Sequence, residues 1–157
     1  MGTIEKAIEL AAREHAGDTD KAGAPYIFHP LRVMFSVSEP FERMSAVLHD
    51  VVEDTDITLD DLLAMGFPRE VVDAVDALTK RDGESRMDAA ARAAENNIAL
   101  KVKLADLADN MDLGRLGDPS EKDRRRVEEY ARVRQFLLDA LESRNRVGGT
   151  GAPENER

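Results

Sequence analysis

The sequence predicts an all-α protein, one compact helical bundle, and three observations carry that prediction. Apolar residues recur at helical spacing in one segment after another, and no stretch shows the alternation of a convincing strand. Apolar residues make up 42% of the chain and aromatics only 4%, which suits helices packed through Leu, Val, Ala and Ile. A length of 157 residues gives a single domain with a sizeable core.

In chain order, Thr3 to His15 reads as an amphipathic helix capped by Thr3, with Ile4, Ala7, Ile8, Ala11 and Ala12 on one face and Gly17 ending it. Residues 17 to 28 are rich in turn formers, and Pro30 fits the first position of a helix running through Val37. Pro40 opens a helix that carries Met44, Val47, Leu48, Val51 and Val52 and ends at Thr55 to Ile57. Thr58 caps a short helix through Met65, with Asp60 and Asp61 as solvated charges in its first turn. Pro68 starts a helix striped by Val71, Val72, Val75 and Leu78, and residues 80 to 84 form a loop. Ser85 to Asn96 and residues 98 to 113 are the next two helices, the second the more apolar. A last long helix runs from about Ser120 to Arg144, and its Arg124, Arg125 and Arg126 read mostly as a solvated face. From Val147 the chain is Gly-rich and polar, so 1–146 is expected as the folded domain and 147–157 as a disordered tail.

A formal charge of −10 argues against a nonspecific grip on nucleic acid, which needs a basic surface. An anionic substrate would then rely on a metal and a few local Lys and Arg side chains. Without cysteine there are no disulfides and no thiolate metal sites, and a cytoplasmic setting is expected. No apolar run approaches membrane-spanning length, and the acidic, amphipathic N-terminus is not a signal peptide. The expected partner is a small molecule rather than nucleic acid or membrane.

The densest chemistry lies in residues 46 to 54. His49 and Asp50 interrupt an apolar run, where a charged pair is costly to bury without a partner. Glu53 and Asp54 follow one turn later, so on a single helix His49 and Glu53, and Asp50 and Asp54, are i,i+4 neighbours. A divalent cation is the plainest reason for such a concentration, with carboxylates left over to handle protons. Asp106 sits in a mostly apolar helix interior that its own propensity disfavours; an ion pair to Lys103 or Arg115 is the alternative to a metal role. His29, taken alone, is the residue of a helix mouth, and His15 that of a helix end favoured by the dipole. Together His29, His49, Asp50 and Asp106 offer two imidazoles and two carboxylates, a donor set that suits Mn, Fe, Zn or Ni better than Ca or Mg.

Three stretches carry a family resemblance: Pro25-Tyr26-Ile27-Phe28-His29-Pro30, Leu48-His49-Asp50-Val51-Val52-Glu53-Asp54-Thr55, and Lys103-Leu104-Ala105-Asp106 with Asn110. They resemble the hydrolase domain of Rel/SpoT alarmone enzymes, within the HD superfamily of metal-dependent phosphohydrolases, over roughly Ile4 to Leu141. The resemblance implies an HD-domain bundle that holds Mn2+ through His29, His49, Asp50 and Asp106. It implies that Glu53 and Asp54 handle the attacking water and its proton. Asn110, Tyr130, Lys80, Arg81 and Arg126 then become substrate contacts, and the expected reaction is hydrolysis of the 3′-pyrophosphate of a (p)ppGpp-like nucleotide.

Two departures bear on the substrate. Asp20 stands where family members carry a basic residue, often Arg, that packs against the base; Lys21 is beside it and would have to make that contact. Asp109 and Asp112 flank Asn110 where the alarmone enzymes are more basic. These acids leave open a nucleotidase or a phosphatase acting on an adenine nucleotide or NADPH. A non-catalytic metal- or nucleotide-binding module is the third reading, against which the Glu53-Asp54 pair argues.

Overall fold

Apolar residues at helical spacing build the helices, and five of the nine among the described residues begin with a side chain that satisfies orphan amides of the first turn. The structure is a computed structural model that describes residues 1–148. It contains α1 (Ile4–Glu14), α2 (Phe28–Phe35), α3 (Pro40–Leu48), α4 (Val51–Asp54), α5 (Leu59–Ala64), α6 (Arg69–Leu78), α7 (Arg86–Ala93), α8 (Asn97–Asn110) and α9 (Glu121–Gly148). Thr3 caps α1, and Asn96 caps α8. Thr58 with Asp61, and Ser85 with Asp88, form reciprocal capping boxes on α5 and α7, so Asp61 has a bonded role beyond that of a solvated charge. Gly17 ends the turn after α1 at φ 87°. Among the described residues the only extended pairing is one antiparallel bridge, Thr19 with Pro25. No helix among them is long and apolar enough to cross a membrane.

Several expected boundaries move. The helix after the 17–27 loop starts before Pro30, at Phe28, because a first-turn residue needs no amide bond of its own. α9 continues past Arg144 to Gly148, and the rest of the expected tail, 149–157, lies outside the described residues. The helix expected to run unbroken through the His49-Asp50 motif stops at Leu48 and resumes at Val51. The Ala46 carbonyl, which would accept from the Asp50 amide in a continuous helix, faces the His49 amide at 3.5 Å and the His49 ring Nδ1. The ladder picks up again with Asp54 N–H donating to the Asp50 carbonyl at 2.9 Å.

Two apolar clusters build the core. The larger joins α1 to α6 with Val102 of α8; Ala11, Val33, Val47, Val51, Leu62 and Val75 are fully buried in it. The smaller joins Ala90 and Ala94, Leu100 and Leu107 of α8, and Val133 and Leu137 of α9. α8 therefore buries two opposite faces, and that is why its sequence lacks a single apolar stripe. α3 packs against α1, α2, α6 and α8, which brings His49 at its end beside Asp106.

Candidate active site

His29 in the first turn of α2, His49 and Asp50 at the α3–α4 break, and Asp106 in α8 converge although 77 residues separate His29 from Asp106. Asp106 Oδ1 lies 2.9 Å from His29 Nε2 and 3.3 Å from His49 Nε2. Asp50 Oδ2 lies 3.0 Å from His49 Nε2 and 3.8 Å from His29 Nε2. His29, His49 and Asp50 each offer one donor atom, all within 4.8 Å of one another.

The tautomers follow from the other ring nitrogens. His49 Nδ1 faces the Ala46 carbonyl, which can only accept, so Nδ1 carries a proton. His29 Nδ1 donates to Asp109 Oδ2 at 2.6 Å. Asp109 is itself gripped by Arg32, at 2.7 Å from Nε and 3.1 Å from Nη2, and by Arg115 at 3.1 Å. With both Nδ1 atoms so engaged, both Nε2 atoms face the Asp50 and Asp106 oxygens. His49 Nε2 is buried and makes no hydrogen bond. Burial works to lower both imidazoles, but the surrounding Asp50, Asp106 and Asp109 carboxylates outweigh it and raise them, so the cluster calls for positive charge at its centre, as ring protons or as a cation. A divalent cation fits that requirement.

Charge around the focus follows the same logic. Burial works to raise the Asp106 carboxyl, but Lys103 and the two imidazoles outweigh it and hold it well below the usual range. Lys103 Nζ is 3.0 Å from Asp106 Oδ2, so the ion-pair alternative for Asp106 and the imidazole contacts are both realised, one on each oxygen. Asn110 Nδ2 donates to Asp106 Oδ1 at 3.1 Å. The Tyr26 hydroxyl donates to Asp50 Oδ2.

Glu53 and Asp54 stand at the wall of the same cavity, about 310 Å³, which His29, His49, Asp50, Asp106, Lys80, Arg86 and Lys103 also line. Desolvation by the cavity wall raises both carboxyls, and the neighbouring Asp50 adds to it. The Lys80 amide donates to Glu53 Oε1 at 3.0 Å and partly opposes the rise. That amide is fixed by the loop behind it: Arg92 clamps Glu84 at 2.8 and 3.0 Å and donates to the carbonyls of Asp76, Ala77 and Thr79 at the end of α6.

A second cavity, about 320 Å³, lies on the far side of Tyr26, Asn110 and Tyr130, which line both. Asp20, Lys21, Leu113, Leu116, Arg126 and Val127 line it as well. Asp20 Oδ1 accepts from the amides of Ala22 and Ala24 at 2.9 and 3.0 Å, so this acid folds its own loop. Lys21 pairs with Asp123 at 3.4 Å. Asp109 does not sit on the rim as an exposed acid: it turns inward to His29 and Arg32, and Asp112 is bound to the Gly114 amide and Arg115.

Of the residues assigned to the site from the sequence, Arg81 alone lines neither cavity. It pairs with Asp76 at 3.3 Å and borders a shallow depression on the outer surface. The inward role of Asp109 was not legible in the sequence, nor were Arg32, Arg86 and Arg92. Asp109 and Arg32 each lie three residues from a recognised donor, Asp106 and His29, and that helical spacing was the available signal. Arg86 and Arg92 lie on α7, where no motif marks them.

No protein-family model matches the sequence. It is 39% identical over 121 residues to a GTP pyrophosphokinase of Streptomyces coelicolor, covering 69% of this chain and 14% of the relative. It is 34% identical over 123 residues to the guanosine-3′,5′-bis(diphosphate) 3′-pyrophosphohydrolase of Vibrio cholerae, covering 69% and 17%. With the bifunctional (p)ppGpp synthase/hydrolase SpoT of Escherichia coli it shares 33% identity over 139 residues, covering 79% and 19%. Among solved structures, a metazoan ortholog of SpoT superposes with a TM-score of 0.71 at 22% identity, covering 92% of this chain and 96% of that one. By sequence and by fold this chain is a Rel/SpoT-type HD domain. The Rel/SpoT-type domain spans less than a fifth of the length of these three curated relatives.

Proposed function

We propose that this Rel/SpoT-type domain is a metal-dependent 3′-pyrophosphohydrolase of (p)ppGpp-like nucleotides. The observation that carries the reading is the convergence of His29, His49, Asp50 and Asp106, with His49 Nε2 buried and unbonded, on one cavity with two raised carboxyls, Glu53 and Asp54. The adjoining cavity, with Tyr26 and Tyr130 in its wall, offers room and ring surface for a nucleoside. The named activities of the Vibrio cholerae and Escherichia coli relatives support the same substrate class. His29, His49, Asp50 and Asp106 would hold the ion; mixed nitrogen and oxygen donors suit Mn, Fe, Zn or Ni, and among these the family resemblance points to Mn2+.

When bound, the ion supplies Lewis-acid polarisation of a phosphate oxygen and acidifies water. The chain's own groups do the rest. His29 and His49 are locked through Nδ1, so their Nε2 atoms need no reorientation on binding. Water attacks the phosphorus joined to the ribose 3′ oxygen; a new O–P bond forms and the P–O3′ bond breaks. Glu53 takes the water proton, and the departing 3′ oxygen collects a proton from Asp54, leaving a 3′-hydroxyl and pyrophosphate. Raised carboxyl pKa values suit both transfers. Asn110 and Tyr130, shared by the two cavities, are placed to orient the nucleoside, and Lys80 and Arg126 to meet phosphates. The setting is then the cytoplasm, and the biological context the stringent response.

A substrate panel with Mn2+ tests this, with pyrophosphate and orthophosphate scored separately. Pyrophosphate release from guanosine tetraphosphate is the expected result. The acid at Asp20 favours a second reading, a nucleotidase or NADPH-type phosphatase, and orthophosphate release from adenine nucleotides would replace the first reading with it.

A further inference from the structure

The ion-side cavity is rich in acids, yet its proposed substrate is a polyanion, so the basic residues in its wall matter. There are three: Lys80, Arg86 and Lys103. Lys103 is committed to Asp106 at 3.0 Å, with 26% of its side chain exposed. Lys80 is anchored by its backbone to Glu53. Arg86, the first residue of α7, is differently placed. Its Nη1 is bonded to Glu129 on α9, and its guanidinium carbon lies 5.1 Å from the centroid of the Tyr130 ring. Tyr130 is the wall between the two cavities, so the guanidinium stands at their junction.

The Arg86–Glu129 pair is parked rather than locked. The two side chains are 40% and 41% exposed, and an ion pair at that exposure holds little net free energy. A phosphate carries more charge than one carboxylate and matches the guanidinium fork with two oxygens. Exchange of Glu129 for phosphate would leave the contact with Tyr130 intact, so Arg86 need not leave the cavity wall to make it. Arg81, the neighbouring arginine that the family resemblance nominates, lines neither cavity.

We propose that Arg86 grips the phosphate farther from the ion in the substrate's 3′-diphosphate, and that Glu129 holds Arg86 in readiness until the substrate replaces it. The inference rests on the hydrolase reading for the identity of the diphosphate. It makes Arg86 the residue that distinguishes a diphosphate from a monophosphate, and Glu129 a competitor of the substrate.

The test uses Mn2+-loaded wild type, Arg86→Ala, Arg86→Lys and Glu129→Gln, with binding of inorganic pyrophosphate and of orthophosphate measured by calorimetry. Loss of a charge-assisted contact should weaken pyrophosphate roughly 10- to 100-fold in Arg86→Ala and leave orthophosphate within about twofold. Arg86→Lys should recover part of the loss. Glu129→Gln should tighten pyrophosphate by about two- to fivefold, since the competing charge is gone. In turnover of guanosine tetraphosphate the same variants should move KM in opposite directions with kcat little changed. A merely structural pair would behave otherwise: both variants would weaken both anions alike, and that result overturns the proposal. Absence of pyrophosphate binding to the wild type overturns it too. If no nucleotide is hydrolysed, the hydrolase reading fails on its own, while the calorimetric difference between the two anions still decides the role of Arg86.

Discussion

The two cavities that meet at Tyr26, Asn110 and Tyr130 are close in volume, about 310 and 320 Å³, yet they are built in opposite ways. The ion-side cavity draws its polar groups from helix interiors and helix ends, and each group is fixed by a second one: His29 by Asp109, His49 by the Ala46 carbonyl, Asp106 by Lys103. The outer cavity draws on the 17–27 loop, the segment after α8 and the start of α9, and its charges go largely to local turns and to the pairs of Lys21 with Asp123 and of Arg115 with Asp109 and Asp112. The proposed function puts chemistry that needs fixed geometry on the first side, and recognition, which loops can vary, on the second.

The comparison breaks most completely if the ion-side focus proves dispensable. His49→Ala should lose bound ion and drop turnover to background while the circular dichroism spectrum stays helical; retained ion by metal analysis would refute the ligand assignment. Glu53→Gln should keep the ion and lose roughly 10²- to 10⁴-fold in kcat, because an amide cannot take the proton. Near wild-type turnover would remove Glu53 from the mechanism. Asp109→Asn sharpens the point about supporting groups: it should weaken ion affinity by roughly 10- to 100-fold, with kcat recovering at saturating ion. An unchanged affinity would mean that Arg32 and Asp109 serve the fold alone.

On the outer side the effects should be smaller. Asp20→Asn keeps an oxygen for the Ala22 and Ala24 amides and removes the charge, so KM for a polyphosphorylated nucleotide should fall by about two- to fivefold at constant kcat. No change in KM would limit Asp20 to its turn. The smallest expected effect is thermodynamic. Arg92 holds the Glu84 carboxyl at about 2, below its ordinary 4.5. A lowered carboxyl stabilises the fold above the unfolded value and loses that contribution as pH falls from about 4.5 toward 2. Wild type and Glu84→Gln should therefore differ in Tm at pH 7 and converge in acid; a constant difference would assign the effect to packing.

The all-α class was legible because apolar spacing recurs in segment after segment and agrees with the caps read at Thr3 and Thr58. His49, Asp50 and Asp106 stood out because each is costly in an apolar run, a local property of sequence, whereas His29 joined them only through the donor count and the family resemblance. The break at His49 was not legible, because it depends on which hydrogen the Ala46 carbonyl accepts, a choice made by the ring of His49. Nor was the inward turn of Asp109. Its rim or core position depends on Arg32, which lies 77 residues away in the chain. Arg86 was invisible for the same reason, since its partner Glu129 lies on another helix, 43 residues on.

The shared helix α8 has a consequence for how the molecule opens. Its Val102 side belongs to the larger cluster, and its Leu100 and Leu107 side receives α7 and α9. α9 packs chiefly on α7 and α8, so it can lift away while α8 stays sandwiched against α2, α3 and α6. Amide exchange should then run in two tiers: fast, sub-global exchange along α9, and exchange close to the global limit for residues 99–107. Asp106 rides on the slow tier and Tyr130 on the fast one. The wall that Tyr130 gives the two cavities, proposed above to orient a nucleoside, can therefore breathe without loosening the carboxylate at the centre of the site.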